Sequence, residues 1–355
     1  MFKVALICYV TADHQVGAGH LVRSKALTES ILFPHRLYVT GKGVLIKETF
    51  SNATYFNDTF SISDKIARLL VSNDYVMLLI DSPQVPHEVW GVEHERLLKI
   101  TIDDYGGNHI RTDIIVNGNA DSSSGYTGLS DWTLLLSGLK YLPIRPEFAN
   151  VGNGRSINRT GRRVGFVIGS GADAQDWAEV ILTLDINGNE WKDVIMVTSS
   201  SMPDFKKIKQ SAKIKGISVV NGLNVNEMAS FYSHCDVCVM TAGMCLYEAL
   251  AAGTSVVAYP ILSGMEKETA YFEKKKVIVN LGKKGFDPQT MTDTVNRLLD
   301  SAEERNQMYR MGRDLIDGKG VTRIAQVLMS VYSEVIKGLP KRKVLASIKK
   351  EIFSV

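Results

Sequence analysis

The chain has 355 residues, of which 45% are hydrophobic and 22% are charged. This length exceeds what one hydrophobic core usually supports, so we expect two domains, and the composition excludes a disordered, collagen-like or coiled-coil chain. The 41 basic and 38 acidic residues leave a net charge of +3. That charge is too small to indicate a nucleic-acid partner, so a small-molecule ligand is favoured.

The first half of the chain shows the alternation of strands and helices that a parallel sheet requires. Short runs rich in Val and Ile are each followed by a glycine-containing or polar loop and then by apolar residues at helical spacing. Continuous apolar runs are typical of strands that are covered on both faces. The predicted strands are Phe2 to Tyr9, Arg36 to Val39, Tyr75 to Ile80, Leu98 to Ile102 and Ile114 to Val116.

The alternation stops between Phe148 and Arg163, where Gly, Asn, Ser and Arg replace the apolar runs, and it then starts again. The later predicted strands are Val164 to Ile168, Val194 to Thr198, Ile217 to Val220, Val237 to Met240, Ser255 to Tyr259 and Val277 to Asn280. We therefore expect a Rossmann-like domain over residues 1–150, a linker over 151–163, a second, nucleotide-binding Rossmann-like domain over 164–330 and a basic amphipathic helix over 331–355. Two α/β domains that face each other across a ligand cleft are the plan of the GT-B architecture.

The two ends of the chain bear on its compartment. The first eight residues or so are apolar, but Thr11 to His14 follow them in place of a signal-peptide cleavage site, which predicts a buried strand. No run reaches the roughly 18 to 20 apolar residues that span a bilayer. The basic and apolar residues of 337–355 favour a helix packed on its domain, and contact with an anionic membrane surface is the alternative.

Four unevenly spaced cysteines in a chain of this size indicate reduced thiols, so we expect a cytoplasmic protein. Cys235 and Cys238 have CxxC spacing, but neither a second such pair nor clustered histidines complete a zinc site. We therefore expect neither a metal nor a cofactor.

The first candidate motif is the GxGHxxR segment from Gly17 to Arg23, directly after the first predicted strand. Gly17 and Gly19 allow a tight turn, and the amides at the start of the following helix attract anions. His20 would lie at the carboxyl end of the sheet, where open α/β sheets bind ligands, and a histidine there can act as a general base. The alternative is a histidine that only caps its own helix.

The second candidate motif runs from Thr241 to Glu248, again between a predicted strand and a helix. Ala242 and Gly243 would let a diphosphate approach the helix, and the Glu248 carboxylate could accept the two hydroxyl groups of a ribose. An ordinary strand-to-helix turn with a surface glutamate is the alternative.

Several further residues are candidates at strand ends. Gly169 and Gly171 lie in a turn after the first strand of the second domain, where they could bind phosphate or cap a helix. Asp81, Asp103 and Asp104 end two strands of the first domain. Because neighbouring residues of a strand point to opposite sides, Asp103 and Asp104 cannot both face one ligand, and we expect one of them to hold a loop. The chain contains no Asp-x-Asp triplet, which favours a metal-free reaction.

Several of these motifs, in this order, resemble the nucleotide-sugar hydrolase of the pseudaminic acid pathway. The resemblance covers most of the chain through the GxGHxxR segment, Ile102 to Asp104, Thr112 to Asn117, Leu142 to Phe148 with its Arg-Pro-Glu-Phe run, and the turns at Gly169 and Gly243. The last third is similar to the related spore coat polysaccharide biosynthesis proteins, through Leu246 to Ala249 and Asp317 to Gly320 with Arg323. This resemblance implies the GT-B fold, a UDP-sugar bound mainly by the second domain, and His20 as the base that activates water.

Three residues, at two places in the chain, depart from the hydrolase. Pro83 stands where the hydrolase has a tyrosine, and Met265 and Glu266 replace an Asn-Gln pair. We therefore expect Glu266 to lie near the sugar, and these departures leave open both the identity of the sugar and whether water is the acceptor. The leading hypothesis is hydrolysis of a UDP-activated acetamido-deoxysugar. A glycosyltransferase of the same fold, an epimerase and a binding protein without turnover remain the alternatives.

Overall fold

The computed structural model describes residues 2–11, 19–43, 46–56, 61–83, 85–104, 106, 111–120, 125–154, 157, 161–169, 174–186, 188–199, 202, 204–259, 265–282 and 287–353. The chain divides into two compact units. Unit 1 comprises Met1–Pro143 together with Lys319–Val355, and unit 2 comprises Ile144–Gly318. Within the described part of the chain, none of the helices is long and apolar enough to cross a membrane.

The described residues of unit 1 form a seven-stranded parallel sheet. Its strands are β1 (Val4–Thr11), β2 (Arg36–Lys42), β3 (Thr54–Tyr55), β4 (Tyr75–Asp81), β5 (Leu97–Ile102), β6 (Ile114–Asn117) and β7 (Leu134–Ser137). Their order across the sheet is β3-β2-β1-β4-β5-β6-β7. The order reverses between β1 and β4, where Val10 pairs with Asp81 at the carboxyl ends. In open α/β sheets this reversal leaves a crevice that binds ligands.

Both faces of this sheet are covered, which is why its strands read as continuous apolar runs. The helices of the amino-terminal part are α1 (Gly19–Glu29), α2 (Ile46–Thr49), α3 (Ile62–Ser72) and α4 (His87–Gly91), with a short 3₁₀ helix at Leu139–Tyr141. Leu6 and Cys8 of β1 belong to the core that includes α1 and α2. Ala5 and Ile7 alternate with them and belong to the core under α3 and α4.

Unit 2 repeats the design with six parallel strands among its described residues. They are β8 (Arg163–Val167), β9 (Asp193–Thr198), β10 (Ser218–Asn221), β11 (Val237–Thr241), β12 (Ser255–Tyr259) and β13 (Ile278–Asn280). Their order is β10-β9-β8-β11-β12-β13, so the reversal falls between β8 and β11.

The helices of unit 2 cover both faces of its sheet. They are α5 (Pro146–Gly152), α6 (Ala174–Thr183), α7 (Phe205–Ile214), α8 (Val225–His234), α9 (Met244–Ala251), α10 (Met265–Lys274), α11 (Pro288–Asp300) and α12 (Ala302–Leu315). One core joins Val164 and Phe166 of β8 to residues of α6, α7, α11 and α12. On the other face, a side chain at Gly165 would collide with Phe231 of α8 and with Cys235 and Cys238.

The carboxyl-terminal helices α13 (Gly320–Val335) and α14 (Lys341–Phe353) group with unit 1, whereas the sequence assigned residues up to 330 to the second domain. Apolar residues of both helices, including Ile324 and Leu345, lie in the unit 1 core. The Tyr332 ring of α13 stacks on Phe33 with a centroid distance of 4.4 Å. The apolar face of the basic tail is therefore occupied by its own unit, which is the packed arrangement that the sequence favoured.

The boundary before unit 2 also differs from the prediction, which placed a linker over 151–163. Unit 2 begins at Ile144, and α5 extends to Gly152. Phe148 explains the difference, because its side chain is fully buried and its ring lies edge-on to Tyr232 of α8 at 5.8 Å. The apolar contact of this helix assigns it to the second unit.

Candidate functional site

Four polar candidates of unit 1 come together at the reversal point of its sheet: His20, Arg23, Asp81 and Asp104. Gly19 and His20 are the first two residues of α1, and Asp81 is the last residue of β4. Because β1 and β4 are neighbours, the helix that follows β1 begins beside the end of β4. The sequence motif and a carboxylate 61 residues away thus meet at one edge of the sheet.

His20 and Asp81 form a hydrogen-bonded pair. His20 Nδ1 lies 2.5 Å from Asp81 Oδ1, and the histidine side chain is 15% exposed whereas the aspartate side chain is fully buried. An ionised carboxylate can only accept hydrogen bonds, so this contact requires the proton on Nδ1. Arg23 Nη2 also lies 3.0 Å from Nδ1, but its two protons go to the shorter contacts with Asp81 and Asp104, so Nδ1 need not accept from it. The other ring nitrogen, Nε2, is then an acceptor, which is the form that a general base needs.

Arg23 connects two carboxylates through its guanidinium group. Its Nε and Nη2 atoms donate to the two oxygens of Asp81 at 2.9 and 2.6 Å. Its Nη1 and Nη2 atoms donate to the two oxygens of Asp104, both at 2.8 Å. Ser24 adds a further hydrogen bond from its hydroxyl to Asp81 Oδ2 at 2.8 Å. The spacing of His20, Arg23 and Ser24 places all three on one side of the first turns of α1.

These donors decide the ionisation of Asp81. Burial by itself would raise the pKa of this carboxyl group, but the charge of Arg23 and the hydrogen bonds from Arg23 and His20 lower the pKa to about 2. Asp81 is therefore a carboxylate at neutral pH although it is fully buried. A fixed negative charge beside His20 stabilises the imidazolium that forms when Nε2 takes a proton.

Asp103 and Asp104 follow the end of β5 and have different partners, so one of the two holds a loop, as predicted. Asp104 faces Arg23, and its side chain is 21% exposed. Asp103 instead accepts from the amide of Gly106 at 3.0 Å and from the Tyr126 hydroxyl at 3.2 Å. Asp103 thus holds the loop after β5, and Asp104 belongs to the polar cluster around His20.

The candidates of unit 2 also lie at the reversal point of their sheet. Gly169 follows β8, and Ala242 and Gly243 follow β11, next to β8 in the sheet. Gly243 has φ +138°, a conformation that favours glycine, and no side chain caps α9 after it. Its neighbour Ala242 is buried. The first amides of α9 can therefore receive an anion. Gly17 and Gly171 lie outside the described residues.

Glu248 lies in α9 and is paired within unit 2. Arg145 Nη2 donates to Glu248 Oε1 at 2.8 Å, and the glutamate side chain is 4% exposed. Burial raises the pKa of Glu248, and the charge and hydrogen bond of Arg145 offset that effect only in part. The sequence alternative of a surface glutamate is wrong for this position, because α9 is buried along most of its length.

Glu266 is half-buried near the start of α10 and follows Met265. A side chain placed at Gly243 would lie 3.9 Å from the terminal methyl carbon of Met265. The position where this chain departs from the hydrolase is therefore adjacent to the glycine turn of unit 2. Among the described residues, His, Cys, Asp and Glu form no group of three or more that could hold a metal ion.

Two residues of these clusters were missed by the sequence reasoning. Ser24 had a usable signal, because it directly follows Arg23 in a helix whose first turns face the sheet edge. Arg145 lies 103 residues from Glu248, and no local pattern connects them. Its only signal was its place in the Arg-Pro-Glu-Phe run, to which the sequence assigned no role.

With these clusters described, comparison with known proteins gives two sequence findings. A family model described as glycosyl transferases group 1 matches residues 184–315. The spore coat polysaccharide biosynthesis protein SpsG of Bacillus subtilis (strain 168) is 23% identical over 344 residues, which cover 92% of this chain and 98% of that protein. The sequence-based resemblance to the spore coat proteins thus has support from an alignment of almost the full length.

Solved structures match the two-unit fold. The UDP-GlcNAc 2-epimerase of Neisseria meningitidis bound to UDP-GlcNAc superposes with a TM-score of 0.62 at 11% identity, covering 92% of this chain and 100% of that chain. UGT2 of Phytolacca americana, complexed with UDP-2fluoro-glucose and pterostilbene, superposes with a TM-score of 0.63 at 11% identity, covering 93% and 99%. The fold class predicted from the sequence, two Rossmann-like α/β domains of GT-B type, is confirmed.

Proposed function

We propose that this protein acts on a UDP-activated sugar in polysaccharide biosynthesis and that His20 is the base that activates the attacking nucleophile. The observation that carries the proposal is the His20–Asp81 pair, which leaves Nε2 as a proton acceptor at the ligand-binding edge of unit 1. The similarity to SpsG and the UDP ligands of the two structural relatives support the substrate class.

The reaction follows from the roles of these residues. A hydroxyl oxygen attacks the anomeric carbon of the sugar while its proton passes to His20 Nε2, and the bond between that carbon and the diphosphate oxygen breaks. The fixed charge of Asp81 stabilises the resulting imidazolium. UDP leaves with the electron pair of the broken bond and carries the added negative charge.

Unit 2 is the proposed nucleotide-binding unit. The uncapped amides at the start of α9 after Gly243 suit the diphosphate, and Glu248 suits the ribose hydroxyls. Gly169 offers a second turn at the same reversal point of the sheet. Glu266 and Met265, close to Gly243, are proposed to contribute to the choice of sugar.

Water is the first candidate nucleophile, which makes the protein a hydrolase of a UDP-activated acetamido-deoxysugar, as the sequence resemblance implies. A sugar hydroxyl is the second candidate, which makes it a glycosyltransferase. The match of residues 184–315 to the glycosyl transferases group 1 model favours the second. The catalytic role proposed for His20 is the same in both reactions.

The test is UDP release from a panel of UDP-amino sugars without an acceptor, for the wild type and His20→Ala. His35→Ala is the matched control, since His35 of unit 1 hydrogen-bonds the carbonyl of Phe33. His35 directly precedes the amino end of β2, whereas Asp81 lies at the carboxyl end of β4 in the same parallel sheet. We expect His20→Ala to lose about 10²- to 10⁴-fold in turnover while UDP binding is retained, and His35→Ala to keep its activity.

The outcome with the wild type separates the two nucleophiles. Release of UDP without an acceptor supports hydrolysis. Release that depends on an added sugar hydroxyl supports transfer. Full activity of His20→Ala in either assay would refute the role of His20.

A further inference from the structure

The Arg-Pro-Glu-Phe run from Arg145 to Phe148 has no assigned role in the proposed reaction, yet its arginine reaches Glu248. Two groups of unit 2 that are far apart in sequence thus form one buried ion pair. Such a pair is costly to bury, because both charges lose their hydration. Its presence beside the glycine turn of α9 calls for a physical explanation.

The run fixes Arg145 by two separate means. A proline disfavours helical geometry at the residue before it, and Arg145 has the expected extended backbone at φ −70° and ψ 132°, with Pro146 at the first position of α5. The Arg145 guanidinium carbon also lies 4.7 Å from the centre of the Phe148 ring, within range of a cation–π contact. Phe148 is itself fully buried against Tyr232. The extended backbone of Arg145 and the Phe148 ring against the guanidinium together hold this group in place.

The held guanidinium uses one oxygen of Glu248. Nη2 donates to Oε1, and no described residue donates a hydrogen bond to Oε2. Arg145 Nε is buried and has no hydrogen-bond partner among the described residues, so Glu248 is the acceptor on which the side chain depends. The arrangement leaves Glu248 with one satisfied oxygen and one available oxygen.

We infer that Arg145 is a positioning residue that keeps Glu248 ionised and turned so that Oε2 can accept ribose hydroxyls. This inference rests on the proposed function, since it needs a ribose at Glu248. It assigns a purpose to three of the four residues of the run: Pro146 fixes the backbone, Phe148 supports the guanidinium, and Arg145 supplies the charge. A neutral carboxyl group would donate one hydrogen bond and accept weakly, and would lose the preference for a diol.

The experiment measures binding of UDP and 2′-deoxy-UDP by calorimetry to the full chain. The variants are Arg145→Met, Arg145→Lys, Glu248→Gln and the double variant Arg145→Met/Glu248→Gln. We expect the wild type to prefer UDP by about tenfold or more, since the site pairs a charged acceptor with the ribose hydroxyls. Arg145→Met should reduce this preference, most strongly at low pH, and the double variant should bind UDP no more weakly than Glu248→Gln.

The pH dependence separates positioning from a merely structural role. Burial already raises the pKa of Glu248, and loss of Arg145 removes the opposing charge. In Arg145→Met the preference for UDP should therefore return as pH rises and Glu248 ionises. Arg145→Lys should keep part of the preference at neutral pH, because the positive charge remains while the planar group that lies over the Phe148 ring is lost.

Each remaining outcome gives a clear answer. If Arg145→Met keeps the wild-type preference for UDP, the inference is overturned. If it weakens UDP and 2′-deoxy-UDP equally at every pH, Arg145 acts on another part of the nucleotide and the inference is overturned as well. If the wild type binds UDP without distinguishing the two ligands, Glu248 does not read the ribose, and if the wild type fails to bind UDP, the proposed function itself is refuted.

Discussion

Unit 1 and unit 2 each bury a carboxylate beside the reversal point of a parallel sheet, but the two groups are held differently. Asp81 accepts hydrogen bonds from Arg23, Ser24 and His20, and its pKa is lowered to about 2. Among the described residues, Glu248 receives a hydrogen bond from Arg145 alone, and burial raises its pKa. Burial is almost equal at the two sites, so the charge of Arg23 and the hydrogen bonds from Arg23 and His20 account for the lowered pKa of Asp81.

This difference suits different tasks. A carboxylate that is saturated with donors stays charged and fixed, which is what the orientation of His20 requires. A carboxylate with a single donor keeps one oxygen available for a ligand, but whether it is ionised depends on that donor. The comparison predicts that changes at Asp81 affect turnover and acid stability, whereas changes around Glu248 affect ligand recognition.

The largest expected effect comes from Asp81→Asn. An amide at this position can donate to His20 Nδ1, which would move the imidazole proton to Nε2 and remove the proposed base. We expect turnover to fall by about 10²- to 10⁴-fold while the affinity for UDP is unchanged. Steady-state kinetics together with calorimetric UDP binding would measure both quantities.

The matched control is Asp103→Asn, one position before Asp104. Asp103 is also buried and hydrogen-bonded, but it holds Gly106 and Tyr126 and does not contact His20. Its turnover should stay within about tenfold of the wild type. Equal losses in the two variants would show that burial of a carboxylate, and not contact with His20, is what matters.

Much of the fold could be predicted because buried parallel strands appear in the sequence as continuous apolar runs. β12 was predicted with its observed ends, and β1 and β8 were displaced by one or two residues. β3 was missed because it has two half-buried residues and no apolar run. β7 was missed although Leu134 to Leu136 are apolar, since the run is short and lies between turns.

The polar clusters were predictable to the extent that their residues follow strands. The sequence placed His20 and Asp81 at the same sheet edge, because the carboxyl ends of parallel strands share that edge. It did not predict that Arg23 would bridge Asp81 and Asp104, since side-chain pairing depends on the strand order β1-β4-β5. The contact of Arg145 with Glu248 could not be predicted either, because it depends on how α5 packs in unit 2. The ligand roles of these residues stay predictions.

An effect of intermediate size is expected when the pH is lowered, and it concerns the stability of the two units. Because the folded-state pKa of Asp81 is about 2 and lies below the ordinary pKa of an aspartate, its contribution to stability is present above that ordinary pKa and is lost as pH falls toward 2. This contribution is on the order of 2 kcal/mol. Glu248 has the opposite sign, since a raised folded pKa means that protonation at low pH relieves the cost of burying its charge.

Hydrogen exchange, corrected for intrinsic rates, can follow the two units separately from pH 6 to pH 2. Protection of the β1 and β4 amides should fall in the wild type, and Asp81→Asn should flatten that dependence. Protonation of Glu248 should not lower the exchange protection of the α9 amides. If that protection rises as pH falls, the rise should be absent in Glu248→Gln. A parallel acid response in both units would mean that the donors around each carboxylate do not govern its ionisation.

The smallest expected effect tests whether the donors to Asp81 share their task. Ser24→Ala removes the hydroxyl that donates to Asp81 Oδ2 and leaves the bonds from Arg23 and His20 in place. We expect unit 1 to lose about 1 kcal/mol of unfolding free energy, measured by exchange of the β1 and β4 amides, and turnover to change by less than tenfold. Arg23 Nε still donates to the same oxygen, so Asp81 should remain ionised at neutral pH. If Ser24→Ala instead reduced turnover as strongly as Asp81→Asn, each donor would be indispensable, and the contrast between a saturated Asp81 and a singly supported Glu248 would lose its basis.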